Sequence, residues 1–121
     1  MAKYVADAVM DLLLNGIAAG NIMTVCSAQP TNRTEAVTTY ALADVALAGG
    51  DFTNANGDSS GRKVTIAQKA NVTIDANGTA THVSICDGAN LLLVTTCTPQ
   101  ALTAGGTVTI PTFKDEVADP V

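Results

Sequence analysis

Charge is scarce in this 121-residue chain: Asp, Glu, Lys and Arg together make up 14% of it, against roughly a quarter in ordinary domains. Six residues are basic and eleven acidic, for a formal charge of −5, and Arg62-Lys63 is the one adjacent basic pair. Nucleic-acid binding needs clustered Lys and Arg, so a phosphate-backbone partner is not expected. Trp is missing, and Tyr4, Tyr40, Phe52 and Phe113 are few and dispersed, which argues against a sugar-stacking surface. One histidine, His82, would have to serve every Ser or Cys nucleophile, and there is no GxSxG elbow, GxGxxG turn or P-loop. The acids are scattered, with Asp115-Glu116 the one adjacent pair. The expectation is a non-enzyme with no cofactor, no metal and no small-molecule substrate.

No run is apolar enough to span a bilayer. The N-terminal stretch "MAKYVADAVMDLLLNGIAAG" does not read as a signal peptide, because Asp7 and Asp11 interrupt its apolar run. It reads as an amphipathic helix over 1–20, with Val5, Val9, Leu12, Leu13 and Ile17 on one stripe of a 3.6-residue period. Gly16 and Gly20 supply its stop. A chain made in a cytoplasm is expected, with no membrane partner. Three cysteines without a CxxC spacing make no closed disulfide framework. Cys26, Cys86 and Cys97 are expected to be buried free thiols.

What is present suits β structure. The chain is 47% hydrophobic, and about one residue in seven is Thr, a β-branched residue that fits a pleated, half-exposed surface. At this length one domain is expected. Residues 21–50 read as a strand ended by Pro30, then one or two helical turns opened by the capping pair Asn32 and Glu35, then an extended arm closed by Gly49-Gly50. Residues 51–61, "DFTNANGDSSG", read as a polar loop. Residues 62–113 read as a β meander with a hairpin turn at Asn77-Gly78, and 114–121 as an acidic tail. The fold class predicted is mainly β with an N-terminal α-helix, an antiparallel β-sandwich or jelly-roll-like barrel.

The stretch "THVSICDGANLLLVTTC" (81–97) holds the histidine and two of the cysteines. With Asp87 to Asn90 as the turn, Cys86 falls opposite Leu91, Ile85 opposite Leu92 and Val83 opposite Val94. His82 then lies beside Thr95, and Cys86 and Cys97 end on the order of 20 Å apart, too far for a shared metal or a disulfide. Leu91 and Leu93 share the face of His82, Ser84 and Cys86. They need cover either from within the chain or from a partner protein. The 51–61 loop fails as a calcium site, because Phe52 takes the first ligand position and Lys63 the twelfth. The triplets beginning at Asn32, Asn71 and Asn77 match an N-glycosylation pattern, which is idle without secretion.

The blocks "TVCSAQPTNRTEAVTTYALADV" (24–45) and "SSGRKVTIAQKANVTIDANGTATHVSICDGANLLLVTTCTPQALTAGGTVTIPTF" (59–113) cover most of the chain. In them it resembles small virion proteins of tailed bacteriophages and prophages. The resemblance implies a structural protein, of capsid decoration or cement type, that binds the shell of the major capsid protein as a dimer or trimer. It supplies no catalytic residues. The alternatives are a tail- or neck-associated virion protein, a host-surface-binding module, or a cytoplasmic binding domain outside any virion. Candidate interface residues are Val5, Val9 and Leu12 on the helix, Leu91 and Leu93 on the hairpin, and Asp115, Glu116 and Asp119 in the tail. The arm near 40–50 is a further element free to reach neighbours. An intermolecular disulfide through Cys26 or Cys97 is a further expectation for particles that leave the reducing cytoplasm.

Overall fold

The computed structural model describes residues 5–118. Helix α1 (Asp7–Ala18) comes first, with Asp7 in its first turn, where the helix dipole favours an acid. Strands β1 (Ile22–Cys26) and β2 (Ala41–Ala46) follow, separated by a π-type turn over Glu35–Thr39. The remaining strands are β3 (Phe52–Asn56), β4 (Arg62–Ile66), β5 (Lys69–Thr73), β6 (Gly78–Cys86), β7 (Leu91–Leu102), β8 (Thr107–Ile110) and β9 (Phe113–Val117). The chain is therefore mainly β with one N-terminal helix, as its Thr- and Val-rich composition leads one to expect.

Every strand pairing is antiparallel. The largest sheet has four strands in the order β2-β1-β6-β7; a second has β3-β4-β9, and a third has β5-β8. One core joins them in a sandwich-like arrangement. Met23, Val25, Val83 and Ile85 come from the large sheet, Val64 and Ile66 from the second, and Val72 and Ile110 from the third. Leu14 of α1 completes it. The helix lies against β4, where Asp11 accepts a 2.8 Å bond from Arg62 Nε, and Asn15 accepts one from Asn54 of β3 at 3.1 Å.

Several local expectations are corrected by this topology. Residues 51–61 are not all loop, because Phe52–Asn56 pairs with β4 and Ala48 N donates to Asp51 to set the entry. The 40–50 arm is mostly the edge strand β2, tied to β1 and bridged to Ile74 through Ala43. Residues 62–113 are no meander: β4, β5 and β6 lie in three different sheets. Asn77-Gly78 is accordingly a crossing between sheets rather than a hairpin turn. Gly78 has no positive φ, and Asn77 instead accepts a 2.7 Å bond from Ala104 N. The acidic tail is a strand as far as Val117, paired along β4.

The β3–β4 turn depends on Gly61, whose φ of +69° lies in the left-handed region and whose missing Cβ leaves room for the Val117 carbonyl. Gly105 shares the conformation, at φ +89°, but nothing lies near its absent Cβ. Gly105→Ala should therefore cost the conformational penalty alone, about 1–2 kcal/mol. Gly61→Ala should lose a further ~1–3 kcal/mol to the collision. Denaturant unfolding of both variants measures the difference, and equal losses would contradict this account of the turn.

Candidate interaction surface

The His82, Cys86 and Cys97 constellation does not converge. Cys86 is opposite Leu91 as expected, but a bulge at Ile85/Cys86 shifts the rest of the ladder by one residue. Ile85 therefore faces Leu93, Val83 faces Thr95, and His82 faces Thr96 rather than Thr95. His82 Nδ1 shares a 2.8 Å hydrogen bond with the hydroxyl of Thr81. Burial raises the thiol pKa of both Cys86 and Cys97, which lowers the thiolate fraction either could offer as a nucleophile. Among the described residues, no three His, Cys, Asp or Glu groups lie close enough to hold a metal ion. Cys26 is fully buried, so an intermolecular disulfide through it is ruled out as the chain is folded; Cys97 is half-buried.

The far face of the large sheet is sealed at this end. Thr24 and Ser84 join hydroxyls across β1 and β6, Thr24 lies 3.4 Å from the Cys26 sulfur, and that thiol donates to the carbonyl of Ala36. Pro30 and Ala36, from the segment between β1 and β2, lie fully buried there. The capping pair read from the sequence fixes this segment. Asn32 Oδ1 accepts from Glu35 N at 2.9 Å, while the Glu35 carboxylate reaches back to Thr31 N at 2.8 Å and to the Thr31 hydroxyl. These bonds hold the Glu35 carboxyl below the usual range. Arg33 clamps the segment to the end of β6, donating to the Asp87 carbonyl at 2.7 Å.

What the fold leaves uncovered is one side of α1. The inward residues are Met10 and Leu14, both fully buried, with Ile17 half-buried. Val9, Leu12 and Leu13 remain 50%, 70% and 61% exposed, with Val5 half-buried at the start of the same stripe. The apolar stripe of the sequence is thus mostly the outer face. Met10, Leu14 and Ile17 form an equally good i, i+4, i+7 stripe. In the observed rotation Arg62 donates to Asp11 and Asn54 donates to Asn15.

The other candidate residues fare differently. Leu93 packs against the core because the bulge turns it inward, while Leu91 is half-buried and outside the core cluster. Asp115 lies opposite Val64 in the β4–β9 ladder. Glu116 accepts from Asp58 N, and Asp58 pairs with both Lys63 and Lys114. Glu116 thus joins an exposed charge cluster around Asp58, while Asp115 is held through its backbone in the β4–β9 ladder. Asp119 lies outside the described residues. Pattern reading missed an apolar groove along β7. Its two adjoining cavities, about 190 and 300 Å³, are lined by Val83, Cys97, Ile110, Pro111 and Phe113 among others. Only the long-range packing of β8 and β9 brings those residues together.

One acidic contact also escapes pattern reading. Partial burial, then the nearby Asp75 carboxylate and a hydrogen bond between the two, push Asp44 above the usual carboxylate range. The native state therefore holds more protons than the unfolded chain between pH 3.8 and the raised value, so stability falls as pH rises through that window. Asp44→Asn should raise the Tm at pH 7 and leave it unchanged below about pH 3.5. Thermal melts at the two pH values check this, and a lower Tm at pH 7 would contradict it.

No known family model matches the chain, and no curated protein or solved structure matches it either.

Proposed function

We propose that this chain is a structural protein of a tailed-bacteriophage virion, of capsid decoration or cement type. It binds the shell of the major capsid protein, self-associates as a dimer or trimer, and stabilises the filled head. Its place is the capsid surface, after synthesis in the bacterial cytoplasm. It acts as a binding protein and not as an enzyme.

The observation that carries this reading is the outer face of α1, where Val9, Leu12 and Leu13 stand in solvent. Large apolar side chains exposed side by side mark a contact surface. The resemblance of residues 24–45 and 59–113 to phage virion proteins supports a phage particle as the assembly that supplies the contact. The rest of the molecule suits a part under mechanical stress: its three cysteines are free thiols, and its antiparallel sheets share one core. A cement protein resists the outward push of packaged DNA by burying area on neighbouring shell subunits, on the order of 800 Å² per contact for a stable interface. With Glu116 bonded to the 57–61 turn and residues 113–117 paired as a strand on β4, that burial falls chiefly to apolar surface and not to a free acidic tail.

Heads assembled without this chain should release their DNA at a lower temperature than complete heads. Adding the purified protein back should restore the difference. Heads of equal heat resistance that fail to take up the added protein would overturn the reading.

A further inference from the structure

We infer that residues 27–40 form a lid that lifts from the large sheet as one unit and governs access to two thiols, Cys26 and Cys86. The inference does not rest on the proposed function.

The segment is a loop with a closed neck. Ser27 N donates to the Tyr40 carbonyl at 3.0 Å, next to the ends of β1 and β2, so the excursion leaves and rejoins the sheet at one place, as an Ω-loop does. Within it the bonds are dense. Glu35 is tied to both Thr31 and Asn32. Ala36 N donates to the Asn32 carbonyl at 3.2 Å, and Tyr40 N to the Glu35 carbonyl at 2.9 Å, across the π-type turn. These bonds survive opening, because both partners of each travel together.

Its ties to what lies beneath are few. Arg33 Nε donates to the Asp87 carbonyl at 2.7 Å, and the thiol of Cys26, a weak donor, reaches the Ala36 carbonyl at 3.4 Å. Pro30 and Ala36 are the buried residues of the segment. No residue of 27–40 belongs to the hydrophobic core cluster or packs against it. Opening therefore gives up little apolar burial and leaves the core whole, as expected of a unit that opens well before the rest of the fold. A body held by a neck at one end and an arginine at the other opens at the arginine.

The surface beneath differs from its surroundings in chemistry. Thr24, Cys26, Ser84 and Cys86 are fully buried there. The Thr24 and Ser84 hydroxyls satisfy each other, so lifting the lid orphans neither. The two thiols are the reactive groups that remain. Burial raises the Cys86 thiol, and the Arg33 guanidinium offsets part of that rise. One residue thus fastens the lid and acts on a thiol that the lid guards. Cys97, which packs against the core and lines the groove along β7, lies outside its control.

Alkylation of the folded full chain with N-ethylmaleimide, read by peptide mass spectrometry across a urea series, tests this. The wild type should label Cys26 and Cys86 in step, at a rate nearly flat in urea below the unfolding transition, because lifting the lid exposes little surface. Arg33→Ala should accelerate both by roughly 10- to 100-fold, the worth of one hydrogen bond from a charged donor. The rate at half-buried Cys97 should not change. Loss of the cation alone would slow Cys86 by raising its thiol pKa further, so acceleration there reports opening. Labelling of Cys26 and Cys86 that climbs with urea as steeply as global unfolding would overturn the inference, and that measurement needs only the wild type. Labelling of one thiol without the other, or an Arg33→Ala chain that labels at the wild-type rate, would overturn it as well.

Discussion

The pairing of β1 with β6 is the constraint on which the rest depends. It joins residues 22–26 to residues 82–86, segments about sixty positions apart, and makes both the centre of the four-stranded sheet. The two strands are buried on both faces over this stretch, so their side chains divide by parity. Met23, Val25, Val83 and Ile85 go to the core. Thr24, Cys26, Ser84 and Cys86 go to the other face, beneath the 27–40 segment. A slip of one residue would exchange the two sets, driving hydroxyls into the apolar core. The Thr24–Ser84 hydrogen bond satisfies both hydroxyls only in the observed register, and no buried side-chain polar atom among the described residues lacks a partner. The long loop closure that this pairing requires makes it the entropically costly step of assembly.

The few cations serve the same end. Arg62 ties α1 to β4 through Asp11, and Lys69 ties β5 to the turn before β3 through Asp51. Lys63 and Lys114 converge on Asp58, and Arg33 closes the segment over the far face of the sheet. Such pairs contribute little each when exposed, but here each joins separate elements and fixes how they meet. Among the described residues, then, all five cations have partners within the chain. The large apolar side chains left exposed among those residues are on α1, at Val9, Leu12 and Leu13.

How much of this was legible in the sequence follows from the range of each interaction. Local features were legible: the N-terminal helix, the Asn32–Glu35 cap, and the Cys86–Leu91 pair closing the Asp87 turn all depend on residues a few positions apart. Helix rotation was not. Both the Val5–Val9–Leu12 stripe and the Met10–Leu14–Ile17 stripe satisfy the helical period, and what distinguishes them is contact with residues far along the chain, the core around Leu14 and the bonds from Arg62 and Asn54. The hairpin register failed beyond one residue because a bulge leaves no periodic mark. The apparent meander failed because alternation shows that a segment is a strand without naming its neighbour; β5 pairs with β8 across more than thirty residues. The supposed tail failed for the same reason, since Lys114 and Glu116 have their partners in the 57–63 turn. Of the candidate contact surface, the helical residues were legible as apolar, but their exposure was a property of the whole fold.

The claim at the centre of this account is that the chain is a repeated part of a phage head. Quantitative mass spectrometry of purified particles tests it most directly, by counting copies of this chain against copies of the major capsid protein. A ratio near one, or a simple fraction of one, is the predicted result and would identify the symmetry position occupied. A ratio of a few per cent would move the chain to the neck or tail, and its absence from particles would contradict the account outright.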